Sequence, residues 1–125
     1  MKANEVYMQN ILKDSIILIT GGTGTFGSAF IERCLKYFPK EIRIFSRGEK
    51  KQYDLKQKYN NISNIKFYIG DIRDKSSVDK AMKNVDYVFH AAAMKHVPIC
   101  EENPIEAIKI NIIGSNNILD SAIEH

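Results

Sequence analysis

Short, mostly apolar runs alternate with longer amphipathic or polar stretches along the whole chain. Each run is five to eight residues long and is bounded by glycine, proline or charged residues. Such runs are typical of strands that are buried on both faces of a sheet. The predicted strands cover residues 15–20, 41–45, 65–69 and 85–92.

Four helices are predicted, one after each strand. Apolar residues recur at helical spacing from Phe26 to Phe38, where Pro39 ends the pattern. The polar stretch 49–59 predicts a solvent-exposed helix, and Asp74 or Ser76 can cap a short helix that runs to about residue 83. A last helix begins with a proline, whose missing N–H costs least in the first turn. The apolar stripe of this helix, which starts at Pro104, consists of Ile105, Ile108, Ile112, Leu119 and Ile123.

Strict alternation of strands and helices favours a parallel sheet with helices on both faces, joined by right-handed crossovers. The expected strand order is 3-2-1-4, as in doubly wound α/β folds. We expect residues 1–14 to be an N-terminal extension and residues 15–125 to form the α/β domain. No repeat, long linker or second domain interrupts the pattern.

Composition agrees with one small domain and excludes several function classes. The 125 residues are 44% hydrophobic and 26% charged, which is close to the average for soluble proteins. Eighteen basic and fifteen acidic residues leave a net charge of +3, too small an excess to indicate nucleic-acid binding. No apolar run is long enough for a membrane span, and residues 1–14 lack the pattern of a signal peptide. Cys34 and Cys100 form neither a CxxC pair nor a disulfide framework, so we expect a soluble, cytoplasmic chain.

A glycine-rich loop, TGGTGTFG at residues 20–27, joins the first predicted strand to the first predicted helix. Gly21 permits a tight turn, Gly24 lets the backbone approach a pyrophosphate, and Gly27 lets the helix pack closely on the strand. The free N–H groups at the helix N-terminus attract phosphate. In this context the loop predicts a Rossmann-type, dinucleotide-binding domain. The predicted cofactor-binding residues of the loop are Gly21, Thr23, Gly24, Thr25, Phe26 and Gly27.

The end of the second predicted strand bears on the choice between NAD and NADP. NAD-binding domains usually carry Asp or Glu there, which accepts hydrogen bonds from the ribose 2′-hydroxyl. This chain has Ser46 and Arg47 instead, followed by Lys50 and Lys51. A hydroxyl, a guanidinium and an ammonium suit a 2′-phosphate, so we predict that Ser46, Arg47 and Lys51 bind NADP, with NAD as the less favoured alternative. Lys56, farther along, is interpreted as a lysine that solvates the helix.

Asp71 and Ile72 follow the third predicted strand, at the same edge of the sheet. Asp71 can accept a hydrogen bond from the adenine amino group, and Ile72 can cover the adenine ring. The alternative is that Asp71 and Asp74 only form a turn or cap the next helix. We predict the adenine role for Asp71 and the capping role for Asp74.

Four motifs together resemble the extended short-chain dehydrogenase/reductase family. They are TGGTGTFG at 20–27, DIRD at 71–74, DYVFHAAA at 86–93, and PIEA at 104–107 leading into NIIGS at 111–115, where Ser115 replaces the usual Thr. Within that family, FSRGEKKQ at 45–52 and AAAMKHVPICE at 91–101 resemble the bacterial UDP-N-acetylglucosamine 4,6-dehydratases of the inverting type, which act in polysaccharide and glycan biosynthesis. Some related UDP-sugar 4-epimerases share most of the same stretch.

The resemblance implies oxidation of the sugar at C4 by tightly held NADP, loss of water across C5 and C6, and return of the hydride. It implies that the small residues at 91–93 let the backbone lie beneath the nicotinamide ribose, and that Lys95 binds a ribose hydroxyl or the substrate diphosphate. His96 is a candidate substrate contact, Asn111 is expected near the active site, and His90 is interpreted as a core histidine. The predicted residues are Ala91, Ala92, Ala93, Lys95 and Asn111 for cofactor, and Lys95 and His96 for substrate.

The family's Tyr-x-x-x-Lys pair is not found in this sequence, so we predict no catalytic residue within the chain. No group of His, Cys, Asp and Glu has metal-ligand spacing. We therefore expect the cofactor-binding front part of an enzyme of roughly 300 residues, which alone binds cofactor weakly and turns over nothing. An uncovered strand edge and helix stripe predict a homo-oligomer. The alternative functions are a UDP-sugar 4-epimerase and a non-catalytic NADP-sensing module.

Overall fold

The computed structural model describes residues 3–21, 25–90 and 115–125. The elements within these ranges, in chain order, are α1 (Ala3–Leu12), β1 (Ile16–Thr20), α2 (Thr25–Leu35), β2 (Glu41–Ser46), α3 (Glu49–Lys58), β3 (Ile65–Ile69), α4 (Lys75–Met82), β4 (Tyr87–His90) and α5 (Ser115–Glu124). The predicted alternation of strands and helices is confirmed in these ranges. The predicted start of the last helix, at 104–114, and the predicted end of the fourth strand, at 91–92, lie outside the described residues.

The four strands form one parallel sheet in the order β3-β2-β1-β4, which confirms the predicted order. β1 lies inside the sheet, where Ile17 pairs with Ile42 of β2 on one side and with Tyr87 of β4 on the other. Asp86 precedes β4, and its Oδ2 accepts a hydrogen bond from Ile16 N at 2.8 Å. The first residue of the DYVFHAAA motif therefore holds the start of β4 beside the start of β1.

Successive residues of β1 face two separate apolar clusters. Ile17 packs on one side of the sheet, with Ile31 of α2 and Leu55 of α3. Leu18 packs on the other side, in the cluster that contains Val78 of α4. Because side chains of a strand alternate in direction, a run that is apolar at every position must be covered on both faces. Helices on both faces are thereby confirmed. None of the helices in the described ranges is long and apolar enough to cross a membrane.

The N-terminal extension contains helix α1, which the hydrophobic pattern does not predict. Leu12, at the end of α1, is buried in the same cluster as Ile17. Ser15 closes the turn that follows, because its Oγ donates to Leu12 O at 2.7 Å and its N donates to the same carbonyl at 3.1 Å. α1 therefore leads directly into the inner strand of the sheet.

The helix after β1 is shorter than predicted. α2 ends at Leu35, so Phe38 lies beyond it, and the prediction that Phe38 belongs to the helical stripe is wrong. Phe38 has a φ of 54° and is 67% exposed. Its carbonyl accepts a hydrogen bond from Asp14 N at 3.0 Å, just before Pro39. The chain reverses towards β2 through this left-handed residue, and the reversal overrides the apolar spacing.

The polar stretch after β2 does form a helix, α3, but the prediction that it is a solvent-exposed helix is wrong for one of its faces. Gln52, Leu55 and Tyr59 are all buried. Their spacing of three and four residues places them on one side of the helix. On the outer side, Lys58 Nζ lies 2.9 Å from Glu32 Oε1 of α2. The helix is therefore half buried against β2 and β3, and its lysines solvate the other half.

Side chains satisfy both ends of α4. Asp74 is the N-cap and accepts a hydrogen bond from Ser76 N at 3.1 Å, which confirms the predicted cap. At the other end, the buried guanidinium of Arg43 donates to Ala81 O at 2.8 Å and to Lys83 O at 2.6 Å. The last carbonyls of a helix lack intrahelical partners, so Arg43 satisfies two of them and ties β2 to α4.

α5 packs on α4 through Ile118 and Ser121, which are both buried. Ser121 Oγ donates to Asp79 Oδ1 at 2.6 Å. Leu119 is 59% exposed and Ile123 is 77% exposed, so the described residues leave these two members of the predicted stripe uncovered. The other members of the stripe, Ile105, Ile108 and Ile112, lie outside the described residues.

Candidate cofactor-binding site

The carboxyl ends of the four strands meet at one edge of the sheet, which is where doubly wound folds bind their ligands. β1 and β4 end there in Thr20 and His90, whose Oγ1 and Nδ1 lie 2.6 Å apart. His90 is partly buried, and burial lowers its pKa below the usual value, so the imidazole is neutral at pH 7. This hydrogen bond gives His90 a structural role between the two strands, in agreement with its interpretation as a core histidine.

Gly21 begins the glycine-rich loop directly after β1. Its φ of 73° lies in the left-handed region that favours glycine, and its N donates to Phe45 O of β2 at 3.0 Å. This is the tight turn expected at that position. α2 begins at Thr25, so its free N–H groups follow the loop, and Gly27 in its first turn is buried. Outside the described residues lie Thr23, Gly24 and the side chains of Thr25 and Phe26.

Gly70 follows β3 in close contact with the core. A Cβ at this position would lie 2.9 Å from two atoms of the Phe45 ring and 3.1 Å from Ser77 Cβ. Phe45 is fully buried, so its ring has little room to move aside. Gly70 N also donates to Ser46 O at 3.0 Å. The missing side chain therefore lets the ends of β2 and β3 come together and positions Asp71, the next residue.

Asp71 is the centre of a charged group at this edge. Its Oδ1 accepts hydrogen bonds from Arg73 N at 2.9 Å and from Arg73 Nε at 3.0 Å. Arg47 Nη1 lies 3.8 Å from Asp71 Oδ2. The hydrogen bonds from Arg73 hold the pKa of Asp71 below its usual value, although burial opposes them, so the carboxylate is ionised at pH 7. The structure thus brings Arg47 and Asp71 together and adds Arg73, which was not among the predicted site residues.

The cations of the predicted NADP site are open to a ligand. The Arg47 side chain is 54% exposed, and Lys51 is exposed in the first turn of α3. The separation of 3.8 Å between Arg47 and Asp71 exceeds a hydrogen bond, so the donors of the guanidinium are not used up by this carboxylate. A planar guanidinium of this kind suits a phosphate group. The residues present therefore fit a phosphate-bearing cofactor at this edge.

Ser46 accepts a hydrogen bond from a buried side chain that is not among the predicted site residues. Gln52 of α3 is 2% exposed, and its Nε2 lies 2.9 Å from Ser46 Oγ and 2.8 Å from Tyr68 O of β3. The spacing of Gln52 with Leu55 and Tyr59 is the signal that could have indicated a buried face on this polar helix. Gln52 joins the end of β2 to β3 immediately before the charged group.

Ile72 is buried and packs in the cluster that contains Phe45 and Val78. Its carbonyl accepts a hydrogen bond from Asn117 Nδ2 of α5 at 2.8 Å. α5 therefore holds the segment that carries Asp71 against the sheet. The predicted roles of Asp71 and Ile72 at an adenine ring stay predictions.

Residues 17–125 match a family model described as polysaccharide biosynthesis protein. The chain belongs to this family. The match covers the glycine-rich loop and the charged group around Asp71. It also covers Ser46 and Gln52, which are hydrogen-bonded to each other.

Curated members related to this chain share more than half of their residues with it over the matched part. The chain is 58% identical over 113 residues to the UDP-glucose 4-epimerase of Rickettsia bellii (strain OSU 85-389), and 55% identical over 116 residues to that of Rickettsia prowazekii. These matches cover 87% and 90% of this chain, but 33% and 34% of the two relatives. The chain thus spans about a third of the length of these relatives.

Solved structures have the same fold. The X-ray structure of Pen from Bacillus thuringiensis is 47% identical with a TM-score of 0.88, and the match covers 90% of this chain and 35% of that one. DesIV of Streptomyces venezuelae, a dTDP-glucose 4,6-dehydratase with NAD and TYD bound, is 24% identical with a TM-score of 0.74, over 87% of this chain and 36% of its own. At 24% identity, the similarity to DesIV shows a shared fold and nothing more. The Rossmann-type parallel sheet and the resemblance to the extended short-chain dehydrogenase/reductase family are confirmed.

The described residues include one group of side chains whose ligand atoms lie close enough to hold a metal ion. Ligand atoms of Asp79, Glu124 and His125 all lie within 4.8 Å of one another, on the surface between α4 and α5. Lys75 Nζ, however, lies 3.2 Å from Asp79 Oδ2 and 2.8 Å from Glu124 Oε2. A cation of the protein therefore already pairs with both carboxylates.

The remaining predicted site residues belong to the stretch between β4 and α5. They are Ala91, Ala92, Ala93, Lys95, His96 and Asn111, and all of them lie outside the described residues. Their predicted roles stay predictions.

Proposed function

We propose that this chain is the cofactor-binding part of a nucleotide-sugar dehydratase or epimerase that uses NADP. The arrangement at the carboxyl edge of the sheet carries the proposal. There, Arg47 at the end of β2 lies beside Asp71 after β3, and Gly21 begins the phosphate-binding loop next to the same strand. Family membership supports a sugar nucleotide as the substrate class, since curated relatives carry the name UDP-glucose 4-epimerase.

NADP is proposed over NAD because of what stands at the end of β2. NAD is usually held there by a carboxylate that accepts from the ribose 2′-hydroxyl. Here that position holds Ser46 and Arg47, and the nearby carboxylate of Asp71 already accepts hydrogen bonds from Arg73. A nicotinamide bound here would supply the hydride acceptor and donor that chemistry at the sugar C4 requires. The described residues would hold the adenosine end of the cofactor, with Arg47 and Lys51 at its 2′-phosphate.

For the reaction, we propose 4,6-dehydration of UDP-N-acetylglucosamine, on the resemblance of residues 45–52 and 91–101 to such dehydratases. Epimerisation at C4 of UDP-glucose is the second candidate, and the names of the Rickettsia relatives favour it. Both reactions begin with removal of the hydride from C4, so the same cofactor site serves either. The two reactions are distinguished by measuring the mass of the product formed by an enzyme that contains this chain. Dehydration removes one water from the sugar, whereas epimerisation leaves the mass unchanged.

The cofactor proposal is tested with the Arg47→Ala variant. Loss of a charge-assisted contact to phosphate should raise the Kd for NADP by about tenfold or more. The Kd for NAD should rise by less than about threefold, because NAD has no 2′-phosphate. Titration calorimetry of both cofactors measures the two constants.

Lys56→Ala is the matched control, since Lys56 is an exposed cation about two helical turns into α3, farther from the end of β2 than Lys51. It should leave both constants unchanged within error. Equal losses for NADP and NAD in Arg47→Ala would overturn NADP selection at this site. A loss in Lys56→Ala as large as in Arg47→Ala would show that net charge, rather than the site, determines binding.

We also propose that the protein is a cytoplasmic homo-oligomer. Leu119 and Ile123 form an uncovered apolar pair on α5, and Tyr87 is 43% exposed on β4, an outer strand of the described sheet. Such surfaces are usually covered by further protein.

A further inference from the structure

Gln52 has a hydrogen-bonding geometry that determines which way its amide points. Its Nε2 lies 2.8 Å from Tyr68 O, 2.9 Å from Ser46 Oγ and 3.3 Å from Ser46 O. Backbone carbonyls only accept hydrogen bonds, so the nitrogen must be the atom on this side. Gln52 Oε1 is buried and has no hydrogen-bond partner among the described residues. The hydrogen bonds that Nε2 donates to Ser46 and Tyr68 therefore fix the orientation of the amide.

The orientation of Gln52 has a consequence for the Ser46 hydroxyl. A hydroxyl has one proton to donate and lone pairs that accept. Because Gln52 Nε2 donates to Ser46 Oγ, a lone pair of that oxygen is already used. In the described part of the chain, no group accepts a hydrogen bond from Ser46 Oγ. The hydroxyl is thus left with its proton available, at the end of β2 and next to Arg47.

We propose that Gln52 is a positioning residue that makes Ser46 a hydrogen-bond donor and so favours a 2′-phosphate over a 2′-hydroxyl. A phosphate dianion only accepts hydrogen bonds, and the Ser46 O–H complements it. A ribose 2′-hydroxyl also has a proton to donate, and NAD-binding domains supply a carboxylate to receive it. This inference rests on the proposed NADP function, and it assigns part of the selectivity to a side chain that need not touch the cofactor.

The test uses two small probes that differ only in the phosphate concerned, adenosine 2′,5′-bisphosphate and adenosine 5′-monophosphate. Their binding to the whole chain is followed by NMR titration, which measures weak affinities. The preference is the Kd of the monophosphate divided by the Kd of the bisphosphate. In Gln52→Met, which keeps the length of the side chain without its donors, the preference should fall by about threefold to tenfold.

Gln57→Met is the matched control, because Gln57 is an exposed glutamine on the same helix. It should keep the full preference. Ser46→Ala should lose about as much preference as Gln52→Met, and the double variant should lose no more than either single one, since both act through one hydroxyl. Additive losses would show that Gln52 does not act through Ser46, and would overturn the inference.

A readout on the unaltered chain covers the case in which Gln52→Met does not fold. The side-chain amide protons of Gln52 should shift on addition of the bisphosphate and remain in place with the monophosphate. Absence of a selective shift would overturn the role of Gln52. If the unaltered chain shows no preference between the probes, the proposed NADP selection fails as well. If the preference is present but survives Gln52→Met, only the inference about Gln52 fails.

Discussion

Gly70→Ala tests whether close packing at the end of β3 holds the candidate site together. The new Cβ would lie 2.9 Å from two ring atoms of Phe45 and 3.1 Å from Ser77 Cβ. Real Cβ atoms do not tolerate the shorter separation, so either the ring or the β3 end must move. Phe45 is 1% exposed and packs in the cluster with Leu18 and Val78, which leaves the ring little freedom. We expect the backbone before Asp71 to shift.

The magnitude follows from two opposing effects. Overpacking a buried site costs about 1–3 kcal/mol. Replacing glycine by alanine also removes freedom from the unfolded chain, which stabilises the fold by about 0.4–1 kcal/mol. The net loss in the free energy of unfolding is then about 1–2 kcal/mol. For a domain of this size that loss lowers Tm by about 4–8 °C.

Thermal unfolding followed by circular dichroism measures the effect, and Gly48→Ala is its matched control. A Cβ at Gly48 would meet only Lys51, at 3.7 Å or more, which is an ordinary contact. Gly48 also has a φ of −77°, which alanine adopts freely. We expect Gly48→Ala to leave Tm unchanged or to raise it by up to about 4 °C, and not to lower it. An unchanged Tm in Gly70→Ala, or an equal fall in both variants, would refute the argument from close packing.

Two further predictions concern titration and thiol reactivity. Burial lowers the pKa of His90 below its ordinary value of 6.5. Just below that pH the unfolded chain therefore binds a proton that the folded chain does not. The free energy of unfolding should fall as the pH is lowered from about 7 to about 6. His90→Asn should flatten this slope in urea titrations, and an unchanged slope would contradict the assignment. Burial raises the pKa of the Cys34 thiol to about 11, so in a Cys100→Ser background a thiol reagent at pH 8 should label the folded chain on the order of 100-fold more slowly than the chain in urea. Equal rates would show that Cys34 is accessible.

The strands and their order could be predicted from the sequence because the signal is strong at each of them. Unbroken apolar runs such as the one from Ile16 to Ile19 are compatible with burial on both faces, and the regular alternation leaves few topologies. The position of Gly21 between a strand and a helix predicts a tight turn, and its positive φ agrees with that prediction. Asp74 was predicted as a cap because a short carboxylate side chain before a helix has a local partner, here Ser76 N.

The errors arose where distant residues determine the outcome. Phe38 continues a helical spacing, but the return of the chain to β2 requires a left-handed residue there, with Asp14 as its partner. Gln52 lies in a polar stretch, yet it is buried because its amide serves Ser46 and Tyr68 on two different strands. Neither requirement is present in the local composition.

The sequence by itself determined the class of fold, the strand order, the place of the glycine-rich loop and the family resemblance, because these depend on local periodicity and on residues that are neighbours in the chain. Only the tertiary structure decided which side chains share the candidate site. Arg47 and Asp71 are twenty-four positions apart and meet because β2 and β3 are paired in register, with Ser46 opposite Ile69. The donor state of Ser46 was decided in the same way, by a hydrogen bond from a helix that packs across both strands. Strand pairing and helix packing bring together residues that are distant in sequence. A pattern of neighbouring residues along the chain does not indicate such contacts.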